Sequence, residues 1–277
     1  GNLVILGVTA STNFPTTSGT YDNSFNGGNW LFEDGITYSN GTDIFVTKLN
    51  ATGSALLGST YIGGSNNDGF SLNTQLKFNY ADHARGEVVL DDYNNIYITS
   101  STKSSNFPTT SGSHQQTLGG DYDAIVASFS SDLTTLSWST YLGGSSGDAG
   151  YSIRTNNNMV AVCGGTLSSN IGATPGTIYA TRPGGVDGYV ATFDNSNGSL
   201  NALTYLGTSS YDQSYIIEID DQNNIYVTGQ TKGSYPVTSG TYSNNNGSQF
   251  IHKMDKTLTT TDFSTVFGSG SSTVNIS

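Results

Sequence analysis

Charge is the scarcest feature of this 277-residue chain, with 9 basic and 21 acidic side chains making up 11% of it, less than half the usual share. A chain so poor in Glu, Lys and Arg is not a helical bundle or a coiled coil. The net charge of −12 repels phosphate backbones and anionic lipid, and no basic stripe offers a local exception, so nucleic acid is excluded as a partner. Apolar runs reach about six residues, as at Leu3 to Leu6 and just beyond, far short of the roughly 20 needed to span a bilayer; no membrane insertion is expected. Cys163 is the only cysteine, which excludes an internal disulfide and a cysteine-based metal site. Its alternation with Val160 and Val162 suits a buried structural thiol. The three histidines, His83, His114 and His252, are scattered and argue against a zinc site. The chain begins at Gly1 without an initiator Met or a signal peptide, so a processed product or a piece of something longer is expected.

What fills the space is glycine (35), tyrosine (17) and phenylalanine (12), with abundant Asn, Ser and Thr, a composition of short strands and tight turns. The phrase NFPTTSG at Asn13 to Gly19 returns at Asn106 to Gly112, as NIGATPG at Asn170 to Gly176 and as SYPVTSG at Ser234 to Gly240, the last three 64 residues apart. Around each copy the order is the same. A strand such as NIYITSST or NIYVTGQT precedes it, and an Asp-led strand follows (DIFVTKLN, DAIVASFS, DGYVATFD). A further strand ends in STYIGG, STYLGG or LTYLGT. With one more strand before the Asn-Asn turns of DDYNN and DDQNN, at Glu87 to Leu90, Tyr151 to Thr155 and Tyr215 to Ile219, each unit holds four strands. A four-stranded antiparallel unit in tandem is a propeller blade. The fold class is therefore all-β, a β-propeller of about four blades in one domain, 1–277, with units at about 1–86, 87–150, 151–214 and 215–277.

These motifs, DIFVTKLNATG at Asp43 to Gly53, STYIGGSNND at Ser59 to Asp68, STYLGGSSGD at Ser139 to Asp148 and DDQNNIYVTGQT at Asp220 to Thr231, together resemble the bacterial β-propeller repeat known as SBBP, the seven-bladed β-propeller repeat. The third unit has lost the proline phrase, and Ser248 stands where the fourth should have its leading Asp. The resemblance implies an exported bacterial protein, secreted or at the cell surface, with no particular catalytic activity. It names more than four blades. The matched phase of the two ends, with Thr273 to Ile276 aligned to the first strand of a blade, points instead to a closed four-bladed ring, and both arrangements stay open.

Asp43, Asp123 and Asp187, and again Asp68, Asp148 and Asp212, recur with the unit, which suits hydrogen bonding at turns and blade junctions. Calcium on such Asp and Asn oxygens stays open without assigned ligands. No cofactor is expected.

Function is sought where the repeat is broken. Between Gly19 and Asp43 lie 23 residues against ten in the next two units, and between Asp68 and Asn94 lie 25 against eight from Asp148 to Asn157. Both inserts are expected on one rim, in the loop between second and third strands and in the loop from one blade to the next. Trp30, Phe32 and Tyr80 are candidates to stack on a sugar or anchor a protein, with Glu33, Asp34, Asp82, His83 and Arg85 as hydrogen-bonding groups. The competing reading is that the inserts pack on each other. The expected function is a non-catalytic surface scaffold for other protein domains, with surface glycans as the alternative ligand. A glycosidase using Glu33 or Asp34 with Asp82 is a distant third.

Overall fold

The structure is a computed structural model and describes residues 1–156, 158–244 and 246–269. Among them, strands run in the order β1 (Leu3–Thr9), β2 (Leu31–Glu33), β3 (Ile36–Tyr38), β4 (Asp43–Leu49), β5 (Leu56–Ile62), β6 (Glu87–Leu90), β7 (Ile96–Thr102), β8 (Asp123–Phe129) and β9 (Leu136–Leu142). They continue with β10 (Asp148–Asn156), β11 (Met159–Thr166), β12 (Asp187–Asp194), β13 (Leu200–Leu206), β14 (Asp212–Ile219), β15 (Ile225–Thr231), β16 (Gln249–Met254) and β17 (Thr261–Phe267). Strands β6 to β9, β10 to β13 and β14 to β17 each make a four-stranded sheet in chain order, β1, β4 and β5 make a three-stranded one, and β2 pairs with β3. All-β architecture and antiparallel four-stranded units are thus present. The expected strand at Thr273 to Ile276 lies outside the described residues.

Successive sheets stack. β10 packs on β6, β7 and β8, while β14 packs on β10, β11, β12 and β13. Strand alternation explains the stack, since side chains along a strand point to opposite faces. On β11, Val160 and Val162 enter one core with Tyr97, Val126 and Trp138, whereas Ala161 and Cys163 enter the next with Ile217, Val227 and Phe250. Burial raises the Cys163 thiol pKa, as befits an unreactive core thiol.

The first strand of each later sheet starts at its Asp, three residues earlier than the sequence led us to expect. It carries a bulge at Tyr151 in β10 and at Tyr215 in β14. The second insert occupies that bulge in the second unit. Asp68 bridges Thr102, the Gly69 N–H donates to the Ser101 carbonyl at 2.8 Å, and pairing resumes only at Glu87 with Thr99. The insert therefore leaves from within a first strand, a correction to its expected place between blades.

The tyrosine of each STY or LTY phrase fastens the loop of the proline phrase. The Tyr141 hydroxyl donates to the Ser104 carbonyl at 2.7 Å and accepts from the Phe107 N–H at 2.9 Å. Tyr61 does the same with Ser11 and Phe14, and Tyr205 with Ser168 and Ile171. Tyr141→Phe removes both bonds, leaving the Phe107 N–H and the Ser104 carbonyl only their mutual 3.3 Å contact, and should lower the unfolding free energy by about 1–3 kcal/mol. Urea denaturation measures this, and a midpoint equal to wild type would contradict it.

Candidate functional site

Two sets of polar residues divide the molecule, one built by the repeat and one by the inserts. In the repeat, Asp123 accepts the N–H groups of Gly119 and Gly120 at 2.7 and 3.2 Å. Asp43 holds Asn26 and Gly27 likewise at 2.6 and 3.0 Å, and Asp187 holds Gly184 at 3.2 Å. The second series binds the start of the next sheet. Asp148 accepts from the Gly144 N–H at 2.7 Å and from the hydroxyls of Thr166 and Ser168, and Asp68 does so from Gly64, Thr102 and Ser104. These carboxylates brace the sheet junctions, as their recurrence suggested.

The first insert folds into the β2–β3 hairpin, turned by Asp34 and Gly35, both with positive φ (48° and 83°), as a type I′ turn requires. Leu31 is buried, and Tyr38 packs edge-on against Phe70 of the second insert at 5.2 Å. Trp30 and Phe32 are 63% and 57% exposed.

The second insert folds around Asp82. Its carboxylate accepts the N–H groups of Phe78 and Asn79 at 3.0 and 2.6 Å, the Arg85 Nε–H at 2.8 Å and the Tyr215 hydroxyl at 3.1 Å. Arg85 lies over the Tyr215 ring at 4.8 Å. Leu76 packs with Tyr151 and Tyr215, whose rings stack at 5.4 Å, and its carbonyl accepts from Gln213 Nε2 at 2.9 Å. An insert rooted in the second unit thus rests on first strands of the third and fourth sheets.

The two inserts meet. The Lys77 ammonium touches the Glu33 carboxylate and stands 4.0 Å from Asp34. His83 Nε2 lies 3.3 Å from Asp34 Oδ2, and its ring stacks on Phe70 at 5.4 Å. Burial first, then the Lys77 charge, lowers the His83 pKa below the usual value, against the pull of Asp34 and Asp82. The structure therefore brings Glu33, Asp34 and His83 together and turns Asp82 and Arg85 inward onto Tyr215. Trp30, Phe32 and the 82% exposed Tyr80 enter no aromatic pair among the described residues. Lys77, Leu76 and Tyr215 escaped the sequence reading. Only the coincidence of Tyr151 and Tyr215 at one place in the repeat could have signalled the seat of the insert.

At the opposite end, between the turns of the second and third sheets, lies a polar groove of about 570 Å³ lined by residues including Asp91, Asp92, Tyr93, Asn156 and Asn195. Asp91 there is occupied by its own turn, accepting from Tyr93, Asn95 and Tyr97.

The sheets and their braces define a repeat β-protein of tandem four-stranded antiparallel sheets. More particularly, residues 203–236 match the family model of the SBBP beta-propeller repeat, a stretch running from β13 through β14 and β15 to the SYP phrase. No curated protein matches the chain. Among solved structures, the quinohemoprotein alcohol dehydrogenase ADHIIG of Pseudomonas putida HK5 is similar at 11% identity and a TM-score of 0.32, over 73% of this chain and 33% of that one. The chain thus spans about a third of that protein's length.

Burial pushes Asp43 and Asp123 up to about 6 and Asp68, Asp148 and Asp187 up to about 7. Each holds its proton more tightly folded than unfolded, where a pKa near 4 applies. Stability therefore rises as the pH falls from about 7 towards 4 and is lost as it rises through the same window. The urea midpoint should be higher at pH 5 than at pH 8, and Asp148→Asn should shrink the difference; a midpoint that falls on acidification would refute this. Leu76→Ala, by opening a cavity under the insert, should cost about 2–5 kcal/mol and speed proteolytic cleavage between residues 70 and 86. Cleavage at the wild-type rate would mean that the insert is not anchored there.

Proposed function

We propose that the chain is a non-catalytic β-propeller scaffold of an exported bacterial surface protein, and that its insert face docks a protein partner through Trp30, Phe32 and Tyr80. The observation that carries this reading is a division of labour within the inserts. Their charged groups are spent on one another and on the sheets, while these three large aromatic side chains are left more than half exposed. Single exposed apolar residues are common, but aromatic side chains on braced loops are what interfaces use as anchors.

Closure into a four-bladed ring is supported by the reach of the second insert. It starts beside the first sheet and makes contacts on β14 of the fourth through Asp82, and on β15 where Asn79 Nδ2 donates to Gln230 Oε1 at 2.8 Å. Such contacts suit a row of sheets that curves back on itself. The glycosidase reading is disfavoured because Asp82 is 1% exposed and already accepts four donors, whereas such catalysis needs two carboxylates flanking a sugar. Carbohydrate recognition is the second reading. It is favoured by the polar groove at the opposite end, where Tyr93 is 82% exposed beside Asp and Asn side chains.

The test compares the wild-type chain with a Trp30→Ala, Phe32→Ala, Tyr80→Ala variant and with Tyr93→Ala, all checked for unchanged melting. Binding to surface-protein fractions of the producing bacterium and to a glycan array is measured for each. Protein capture that drops at least tenfold in the triple variant alone supports the insert face. A glycan signal lost in Tyr93→Ala moves the function to the groove. Equal binding by wild type and triple variant removes the insert face.

A further inference from the structure

We propose that Glu33, Asp34 and His83 form a binding site for a borderline divalent cation of the zinc class, which clips the hairpin insert to the second insert. One carboxylate oxygen from each acid and one imidazole nitrogen lie within 4.8 Å of one another. Modest side-chain adjustment brings such a set onto metal bonds of about 2.0–2.2 Å. The residues come from two segments separated by β4 and β5, so the fold, not a local turn, assembles the set. Asp34 is fixed at the tip of the hairpin by its positive φ of 48°, and the aromatic contacts of Phe70 with Tyr38 and His83 hold the two segments in register.

The imidazole is the second observation. His83 is 6% exposed, its Nδ1 has no hydrogen-bond partner, and its Nε2 is aimed at the Asp34 carboxylate across 3.3 Å. A buried ring whose one polar contact is this 3.3 Å approach gains from a coordinate bond at Nε2. Two carboxylates against one ammonium, Lys77, leave one excess negative charge, which favours a cation there.

The donor set decides the class of ion. Calcium takes six to eight oxygens and magnesium prefers to keep its waters, whereas one imidazole with two carboxylates suits zinc, leaving a fourth position for water. Asp34, with its side chain 38% exposed, leaves that position open to solvent. Counting histidines argued against zinc, but a site of this kind needs only one. The inference is independent of what docks on Trp30, Phe32 and Tyr80, because the ion binds whether or not a partner does.

The full chain, stripped with a chelator, is titrated calorimetrically with zinc chloride and, separately, with calcium chloride. One equivalent of zinc should bind, and zinc should raise the melting temperature. Asp34→Asn and His83→Gln should each weaken binding at least about tenfold and abolish the thermal shift, while His114→Gln leaves both unchanged. Asp34→Asn serves as the test if His83→Gln fails to fold, since Asn tolerates positive φ at an exposed turn. The proposal is overturned by the lack of saturable zinc binding, by zinc binding undiminished in Asp34→Asn, or by calcium binding as tight as zinc.

Discussion

The buried carboxylate at the head of each sheet is the constraint on which the rest of the structure depends. Asp43, Asp123 and Asp187 begin third strands at full burial, and a carboxylate there is tolerable only with donors turned towards it. Those donors are backbone N–H groups, so the chain must pass close by, and it does so on glycine. A Cβ on Gly143 would stand 2.4 Å from an Asp123 carboxylate oxygen, and one on Gly63 would meet both Asp43 and Asp68 at under 3 Å. The TYxGG phrase is therefore the counterpart of the Asp-led strand, and the two recur together because neither fits without the other.

From this bracing follows the shortage of charge. A middle strand such as β11 gives one set of side chains to each of two cores, so it has no solvent face on which Lys or Glu could stand. Beyond the Asp residues that head third strands, most charge stands in turns, first strands and inserts, with Lys48 on β4 and Lys253 on β16 among the exceptions. Even among the first strands it is paired, as where Arg154 links Glu87 and Glu218 at 2.6 and 2.8 Å.

This also explains what the sequence made legible. Sheet order, strand polarity and the bracing role of the repeated Asp residues could be read because repetition separates structural from incidental residues, and residues 203–236 carry enough of the pattern to match the repeat family. The path of the second insert could not be read. It splits a first strand between Gly69 and Glu87, and the halves rejoin through pairing with β7, a register that no local pattern announces. For the same reason Asp82 and Arg85 looked like binding groups. Which polar side chains an irregular segment uses to fold itself depends on the surface it lands on, here Tyr215 and Gln213, more than 130 positions along the chain. Glu33, Asp34 and His83 did converge, yet through Lys77 and Phe70, which stood out in no motif.

The two ends of the sheets differ in a way that bears on how a partner approaches. At the hairpin end, Asp132 is held down to about 2 by the Ser130 and Thr134 donors, and Asp194, Asp220 and Asp255 are likewise lowered by their turn partners, so that end keeps its negative charge at any physiological pH. At the insert end most acids are either buried and raised or paired with Lys77, Arg85 or Lys103. The same residue type is thus ionised at one end by donors and restrained at the other by loss of water. An acidic chain of this kind repels most acidic proteins through its hairpin end, while its insert end presents little net charge and three exposed aromatic rings. The end of lower charge is therefore also the end that carries the exposed aromatic rings.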